Sequence, residues 1–484
     1  MRLLAAATVL VTALLAGASI THAADIGAND DTAKFDADGG AALYSQMASL
    51  GLRQTVIPVR FVPSQPLVIQ DKEQLDRVIP IAIAAGIRVV LAIYPYPPRE
   101  LEAGIGSPSL FAGYVGAVAS VYPQIKEFVI GNEPNQPAFW RPQFDAKGAN
   151  ASAAAFGPYL ADAYDALKSV DPANVVVGVG LSPRGNDNPK AKNNISTSPL
   201  RFLRALGAWY RKSGRTKPLM DAFSFHPYPN RATDPLDRGY AWPDAGFVNL
   251  DRVKQGLWDA FHGTAQPTTV DGLKLHLDEV GWQVDTSGLS GYTGAENVPV
   301  TNEVTQAAIY GDLIHRAACD PDVAEVSFFG FRDDGARTGF QAALERADGS
   351  LRPSASAVQA AIADGSTKCS AFTAWRPGGD VLGAEVALQS GSGAPIEAKI
   401  GAGEDARATV CARAALSGTA IANRWLVVRR GICRETTVTG HHAVVVPVRM
   451  PAGAGRRVEV AVELQAEANR ERRTFVFKQA AFEH

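Results

Sequence analysis

Short apolar segments alternate with helical segments over about 340 residues, and this rhythm constrains the fold more than any other feature of the sequence. Eight segments read as strands, and most are apolar throughout: 24–28, 54–61, 87–93, 126–130, 174–180, 221–226, 273–279 and 324–331. Strands that are apolar on both faces are typical of a parallel sheet covered by helices. The alternation predicts a closed (β/α)8 TIM barrel, with an open doubly wound sheet as the alternative.

Helical periodicity fills the intervals between these strands. The segment 71–85 has acidic residues in its first turn and Gly86 just past its end, and the segment 198–212 begins with Ser198-Pro199. Such residues favour the starts and ends of helices. The other predicted helices are 39–50, 108–121, 158–170, 250–262, 303–318 and 354–363.

Polar and aromatic side chains collect at the carboxyl ends of the predicted strands, where barrels place their functional groups. The fourth strand runs into Asn132 and Glu133, and Pro134 then ends its ladder. The seventh strand ends at Glu279. Because all carboxyl ends meet at one mouth, we expect Glu133 and Glu279 to face each other there. Further polar or aromatic strand ends are Arg60, Tyr94, Tyr96, His226, Tyr228 and Trp282.

Two carboxyl groups across a cleft suit hydrolysis of a glycosidic bond. One must be protonated to assist the leaving oxygen, and the other ionised to attack or to activate water. We expect Arg60, His226 and Tyr228 to hold one carboxylate ionised. Aromatic surroundings near Trp140 or Tyr228 would keep the other protonated. The aromatic residues expected to stack on a sugar ring are Tyr94, Tyr96, Trp140 and Trp282.

These residues carry a resemblance to a known group of enzymes. Over 26–365 the chain resembles the clan of retaining (β/α)8 glycoside hydrolases that includes the family-5 cellulases and the family-39 xylosidases. The segment 339–353 is similar to the stretch that closes many such barrels. The motifs that carry the resemblance are Gly131-Asn132-Glu133-Pro134, His226-Pro227-Tyr228 and Glu279-Val280-Gly281-Trp282.

The resemblance implies a role for each matching residue. Glu133 would be the general acid/base and Glu279 the nucleophile. Asn132 would hydrogen-bond the sugar 2-hydroxyl. Arg60 and Tyr228 would orient Glu279, and His226 would line the site.

Two strand ends depart from the cellulase pattern and bear on the substrate. Cellulases carry a histidine after the third strand, where this chain has Tyr94 and Tyr96. They carry a tryptophan after the eighth strand, where this chain has Phe329, Phe331 and Arg332. The resemblance therefore implies hydrolysis of a β-linked polysaccharide or oligosaccharide without naming cellulose.

The residues leave two other functions open. One is a carbohydrate-binding barrel that has lost catalysis, and the presence of both glutamates argues against it. The other is a metal-dependent sugar isomerase or deacetylase with His226, Asp278 and Glu279 as ligands. Its weakness is that His276 is the one further histidine on a predicted strand. Strand alternation should also turn Asp278 away from the face that Glu279 uses, so we expect Asp278 to be structural.

No metal or cofactor is expected from the remaining motifs. The run Gly178-Val179-Gly180 lacks the third glycine and the following helix of a dinucleotide-binding loop. Asp25, Asn29, Asp30 and Asp31 lack the glycine and the distal glutamate of an EF-hand. We expect these four to be loop residues near the site.

The residue pattern of the sequence changes beyond residue 365. Short alternating segments are separated by glycine, proline and serine, which predicts a small all-β, sandwich-like domain. The predicted domains are thus a signal peptide over 1–23, a catalytic barrel over 24–365 and an accessory domain over 366–484. The clearest strands of the accessory domain are 385–389, 424–429, 443–448, 457–464 and 474–478.

The first residues predict export. Arg2, the apolar run 3–17 and the small residues around Ala23 are typical of a secretory signal, with the mature chain starting near Ala24. An uncleaved membrane anchor is the alternative. Export makes two disulfides plausible, and sequence proximity favours Cys411–Cys433, which leaves Cys319–Cys369.

The amino-acid composition limits the classes of binding partner that can be expected. The chain is 46% hydrophobic, and its 47 basic residues nearly balance its 49 acidic ones. This balance gives no reason to expect nucleic acid or an anionic membrane as partner. We expect a secreted monomer, in the extracellular space, periplasm or cell wall, that acts on carbohydrate.

Overall fold

The computed structural model describes residues 24–240 and 243–365, together with parts of the chain beyond: 369, 375, 377, 388–389, 396–400, 406–414, 433–438, 444–448, 458–466 and 472–479. The predicted signal peptide lies outside the described residues. None of the described helices is long and apolar enough to cross a membrane.

Eight parallel strands form a closed barrel in which each strand pairs with its neighbours in the chain, and β1 pairs with β8. The strands are β1 Asp25–Asn29, β2 Gln54–Phe61, β3 Arg88–Pro95, β4 Glu127–Ile130, β5 Val175–Leu181, β6 Ala222–Phe225, β7 Lys274–Val280 and β8 Val323–Phe329. The (β/α)8 barrel is confirmed, and the open sheet is excluded because β1 and β8 close the circle.

Nine α-helices accompany the barrel strands in the described part of the chain. They are α1 Ala41–Ser49, α2 Lys72–Ala84, α3 Pro98–Glu102, α4 Pro108–Val121, α5 Ser152–Val170, α6 Pro199–Ser213, α7 Leu250–Phe261, α8 Glu303–Cys319 and α9 Pro353–Asp364. Helix α5 begins earlier than the predicted 158–170. The side-chain oxygen of Asn150 accepts the N–H of Ala153 at 2.9 Å, so the helix start is capped before Pro158.

The barrel interior is built in layers. Apolar side chains from alternate strand positions fill its middle: Val56, Val90, Ala92, Val129, Val177 and Ala222. The opposite strand face packs against the helices in the main hydrophobic core. Parallel strands buried on both faces need apolar residues at both parities, which explains the continuous apolar runs in the sequence.

An ionic layer closes the N-terminal end of the barrel. Arg88 contacts Glu127 and Gln54, and Nδ1 of His276 lies 3.1 Å from Glu127 and 3.2 Å from Glu325. Burial alone would lower the pKa of His276, but the two carboxylates raise it to about 10. Charged His276 therefore balances the carboxylates of this layer, at the end of the barrel away from the predicted site.

The C-terminal part forms two antiparallel sheets, as expected for an all-β domain. One has the order β13-β10-β9 and the other β12-β11-β14-β15. Four of the five predicted strands overlap described strands, and 424–429 lies outside the described residues. The strands are β9 Leu388–Gln389, β10 Ile396–Ile400, β11 Ala406–Ala414, β12 Cys433–Val438, β13 Val444–Val448, β14 Val458–Ala466 and β15 Arg472–Gln479.

Both predicted disulfides are present. Cys411 of β11 is bonded to Cys433 of β12, its direct cross-strand neighbour. Cys319 at the end of α8 is bonded to Cys369, beyond the last barrel helix. The second bridge ties the chain that follows the barrel to the barrel wall.

Candidate active site

Glu133 stands where β4 leaves the barrel. Its backbone has a φ of 41°, a left-handed conformation that costs a glutamate about 1–3 kcal/mol. The N–H of Glu133 donates to the carbonyl of Gly180 at 2.7 Å, which holds this turn against β5. The preceding Gly131 allows the close approach, because a Cβ there would lie 2.7 Å from the carbonyl oxygen of Val179.

Glu133, His226 and Glu279 converge at the barrel mouth, and one donor atom of each lies within 4.8 Å of the others. Nδ1 of His226 lies 3.2 Å from Oε1 of Glu133 and 3.4 Å from Oε2 of Glu279. The glutamate side chains are 17% and 13% exposed, so both reach solvent only at the rim. The structure thus brings together the two carboxyl groups that the sequence placed at separate strand ends.

Two neutral donors fix the carboxylate of Glu279. Asn29, at the end of β1, donates to Oε1 at 3.1 Å, and the hydroxyl of Tyr228 donates to Oε2 at 3.0 Å. Tyr228 therefore occupies the orienting place that the resemblance implied for it. Asn29 is a site residue that sequence reasoning left among loop polars, although its position at a strand end was an available signal.

Asp278 lies behind His226 inside the barrel and is 2% exposed. Its Oδ1 accepts the hydroxyl of Ser224 and lies 3.4 Å from Nε2 of His226. Asp278 and Glu279 thus face the same imidazole, contrary to the expectation from strand alternation. The reason is local: the pairing of β7 with β8 shifts register between Leu277 and Val280.

The charges of these groups are strongly coupled. Burial alone would lower the pKa of His226, but the carboxylates of Glu279, Asp278 and Glu133 raise it well above its ordinary value. Burial, together with the charges of Glu133 and Asp278, raises the pKa of Glu279 to about 7, although His226 and Tyr228 act to lower it. His226 is therefore an imidazolium held among three carboxyl groups.

This arrangement argues against the metal ligand set His226, Asp278 and Glu279. Asp278 faces Nε2 of the imidazole and Glu279 faces Nδ1, so the three groups do not point at one ion. Glu133, His226 and Glu279 each place one ligand atom within 4.8 Å of the others, which is close enough to hold a cation. His276 lies at the other end of the barrel with Glu127 and Glu325.

Arg60 lies beside tyrosines rather than beside Glu279. Its guanidinium lies beside Tyr94 and 5.3 Å from the ring centre of Tyr96. Arg60 and Tyr94 are register partners on β2 and β3, so their side chains lie next to each other on neighbouring strands. The orienting place expected for Arg60 next to Glu279 is taken by Asn29.

The structure corrects the prediction that two tryptophans offer stacking faces. Trp140 is 3% exposed and packs edge-on against Phe156 and Tyr159. Trp282 is 2% exposed, and its indole N–H donates to the carbonyl of Asp234 at 2.9 Å. Each ring gains more by burial in the core than a rim position would allow. Both are packing residues.

Of the two tyrosines predicted to stack on a sugar ring, Tyr96 is the accessible one. It is 37% exposed, whereas Tyr94 is 8% exposed and packs edge-on against Phe139. Asn132, next to Glu133, is half-buried and makes no side-chain hydrogen bond within the described part of the chain. Its amide is thus available to a ligand.

Sequence reasoning missed an aromatic group at the mouth. Phe329, at the end of β8, and Phe340 are both half-buried and lie 5.1 Å apart between ring centres. Phe340 also packs edge-on against Tyr228 at 5.5 Å. Phe329 is the last residue of the eighth strand, near the position at which cellulases carry a tryptophan. This position could have indicated that an aromatic ring lies at the mouth.

A cleft of about 310 Å³ opens beside Glu133. The segments that follow β4 to β8 line it. Its residues include Glu133, Arg184, Tyr228, Arg231, Gln283 and Phe340. The fold and this site define a (β/α)8-barrel protein with two glutamates paired at the carboxyl end of the barrel.

Comparison with known proteins adds three matched structures. No protein-family model matches the chain, and no curated protein is significantly similar to it. A family 39 glycoside hydrolase from Bacteroides cellulosilyticus WH2 is 16% identical with a TM-score of 0.49, covering 89% of this chain and 81% of that one. GH5_18 from Streptomyces cattleya is 16% identical with a TM-score of 0.48, covering 74% and 83%.

A family 1 β-glucosidase from Thermotoga maritima is 11% identical with a TM-score of 0.44, covering 66% of this chain and 85% of that one. All three matched structures are under 25% identical to this chain.

Proposed function

We propose that this protein is a retaining glycoside hydrolase that cleaves O-glycosidic bonds of a β-linked polysaccharide or oligosaccharide by double displacement. The observation that carries the proposal is the pair Glu133 and Glu279, with a carboxyl oxygen of each within 4.8 Å of the other. Retaining enzymes hold their carboxyl groups about 5–5.5 Å apart, whereas inverting enzymes need about 6.5–9.5 Å to admit a water. The observed spacing supports direct attack by a carboxylate.

We assign the nucleophile to Glu279. Asn29 and Tyr228 each donate to one of its oxygens, which fixes the carboxylate and favours its ionised form. In the first step Glu279 attacks the anomeric carbon as the bond to the leaving oxygen breaks. The product of this step is a covalent glycosyl ester of Glu279.

We assign the acid/base to Glu133, which lines the open cleft where a leaving group has room. Its proton passes to the leaving oxygen in the first step. In the second step Glu133 takes a proton from water, and the water oxygen displaces Glu279 from the anomeric carbon. The imidazolium of His226 offsets the negative charge of the pair throughout.

We further propose that the protein is secreted and works as a monomer on carbohydrate. The two disulfides are typical of an oxidising compartment, which supports export. In this proposal the catalytic domain spans 24–365 and the all-β accessory domain spans 366–484.

Stereochemistry tests the mechanism. A screen over chromogenic aryl glycosides and polysaccharides identifies a substrate, and proton NMR of the anomeric region then follows the first minutes of the reaction. The first sugar released should keep the anomeric configuration of the bond that was cut, because two inversions occur in sequence. Early release of the opposite anomer would rule out the double displacement and the assigned roles. Binding without turnover of any glycoside would favour the non-catalytic barrel.

The pH dependence tests the environment of Glu279. A nucleophile must be ionised, so kcat/KM should fall as the pH drops through about 7, the pKa that Glu279 has in this site, rather than near its ordinary value of 4.5. Tyr228→Phe removes a hydrogen bond to the ionised form and should move this acidic limb to higher pH.

Tyr210→Phe is the matched control, because the buried hydroxyl of Tyr210 on α6 donates to the carbonyl of Lys217, in the segment that precedes β6. Its pH profile should equal that of the unmodified protein. An acidic limb that stays in place or moves to lower pH in Tyr228→Phe would contradict the proposed contact with the nucleophile.

A further inference from the structure

Two arginines line the cleft beside Glu133. Among the described residues that line it, the charged ones are Glu133, Arg184 and Arg231. The carboxylate of Glu133 faces the imidazolium of His226, so the two arginines dominate the remaining charge. A concave wall of one sign concentrates ligands of the opposite sign.

Arg184 is held in place but keeps donors for a ligand. Its Nη1 donates to the carbonyls of Pro229 and Asn230 at 3.2 and 3.3 Å and lies 3.3 Å from the Tyr240 hydroxyl. Its Nε and Nη2 make no hydrogen bond or ion pair with the described residues. A guanidinium whose position is fixed by carbonyl oxygens, and whose Nε and Nη2 remain available, suits an anion that accepts two hydrogen bonds from one edge.

Arg231 follows β6 and faces the same cleft. Asp234, the acid closest to it in sequence, accepts the backbone N–H of Arg231 at 3.1 Å and pairs with Arg238 at 3.3 Å. The guanidinium of Arg231 has no ion pair with any residue that the structure describes. Asp244 lies near Arg184, but it accepts the N–H of Gly185, and burial raises its pKa to about 7.

We propose that Arg184 and Arg231 form a subsite for an anionic sugar residue, carrying a uronic acid carboxylate or a sulfate ester, on the leaving-group side of the scissile bond. The inference rests on the proposed function, because Glu133 protonates the leaving oxygen and lines this cleft. The substrate class is then an acidic glycan in which a charged residue follows the bond that is cut.

Equilibrium binding by calorimetry tests the subsite without requiring turnover, using the Glu279→Gln variant of the full chain. The probes are an oligosaccharide of alternating β-linked glucuronic acid and glucose, the same oligosaccharide with its carboxyl groups reduced to alcohols, and the reduced form sulfated at those alcohols. We expect one acidic form to bind about 10- to 100-fold more tightly than the reduced form, as expected for hydrogen bonds to a charged group. Preference for the first or the third probe distinguishes carboxylate from sulfate.

Substitutions of the two arginines test whether they cause the preference for the acidic probes. Arg184→Met and Arg231→Met, each added to the Glu279→Gln chain, should lower the ratio of acidic to reduced binding about 10-fold or more. The side chain of Arg231 makes no hydrogen bond or ion pair with the described residues, so its variant remains informative if Arg184→Met disturbs the fold. Arg53→Met is the control, because exposed Arg53 precedes β2 at the opposite end of the barrel.

Equal binding of the three probes, or a preference that survives both arginine substitutions, would overturn the subsite. Hydrolysis of neutral aryl glycosides without any acidic preference would leave the proposed function standing and reject the subsite. If the protein prefers the acidic probes but cleaves no glycoside, the subsite stands and the proposed function is rejected.

Discussion

Replacing Glu279 with alanine is expected to lower kcat on every glycoside by about 10⁴-fold or more, because no covalent intermediate can form without the nucleophile. The loss should be independent of the leaving group, since both steps pass through the ester of Glu279. Steady-state rates on aryl glycosides with good and poor leaving groups measure this.

Glu73→Ala is the matched control, since Glu73 is exposed on α2. It should retain full activity and report any general effect of a glutamate substitution. Circular dichroism and thermal unfolding establish that the Glu279 variant is folded. A folded Glu279→Ala protein with near-normal turnover would exclude this residue as nucleophile.

Replacing Glu133 with alanine should give a loss that depends on the leaving group. Substrates with poor leaving groups need acid assistance, and their first step should slow by about 10²–10⁴-fold. Substrates with very good leaving groups should react almost normally in that step and then accumulate as the glycosyl ester. A burst of released aglycone followed by slow turnover is the expected signature.

Azide should accelerate the Glu133 variant, because a small anion can occupy the space of the missing carboxylate and attack without general base help. The product should be a glycosyl azide with the β configuration of the substrate. If azide instead rescues the Glu279 variant and yields the inverted azide, the two roles are exchanged.

The fold was predictable because its causes are local. Apolar runs such as Val175–Leu181 are needed wherever a parallel strand is covered on both faces, and helix start and end signals depend on neighbouring residues. These requirements repeat along the chain, so a barrel can be recognised without knowing any long-range contact. The same alternation of strands and helices predicted that Glu133 and Glu279 lie at the ends of strands.

The aromatic predictions failed at Trp140 and Trp282 for the opposite reason. A tryptophan next to a strand end has the same sequence context whether its ring faces a cleft or the helical layer. What decides is the space between elements: Phe156 and Tyr159 on α5 enclose Trp140, and Tyr310 on α8 lies against Trp282. Burial depends on helix packing, which no short window of sequence contains.

The sequence by itself determined the barrel, the all-β domain, the cysteine pairs and the two carboxylates at one mouth. Tertiary structure alone decided how those carboxylates are held. Asn29 reaches Glu279 across 250 positions of sequence, and His226 lies among Glu133, Asp278 and Glu279. Barrel closure brings β1 beside β8 and near β7, and a register shift in β7 turns Glu279 toward His226. Closure and register are properties of the whole sheet, because each strand's position is fixed by its neighbours' hydrogen bonds rather than by its own residues.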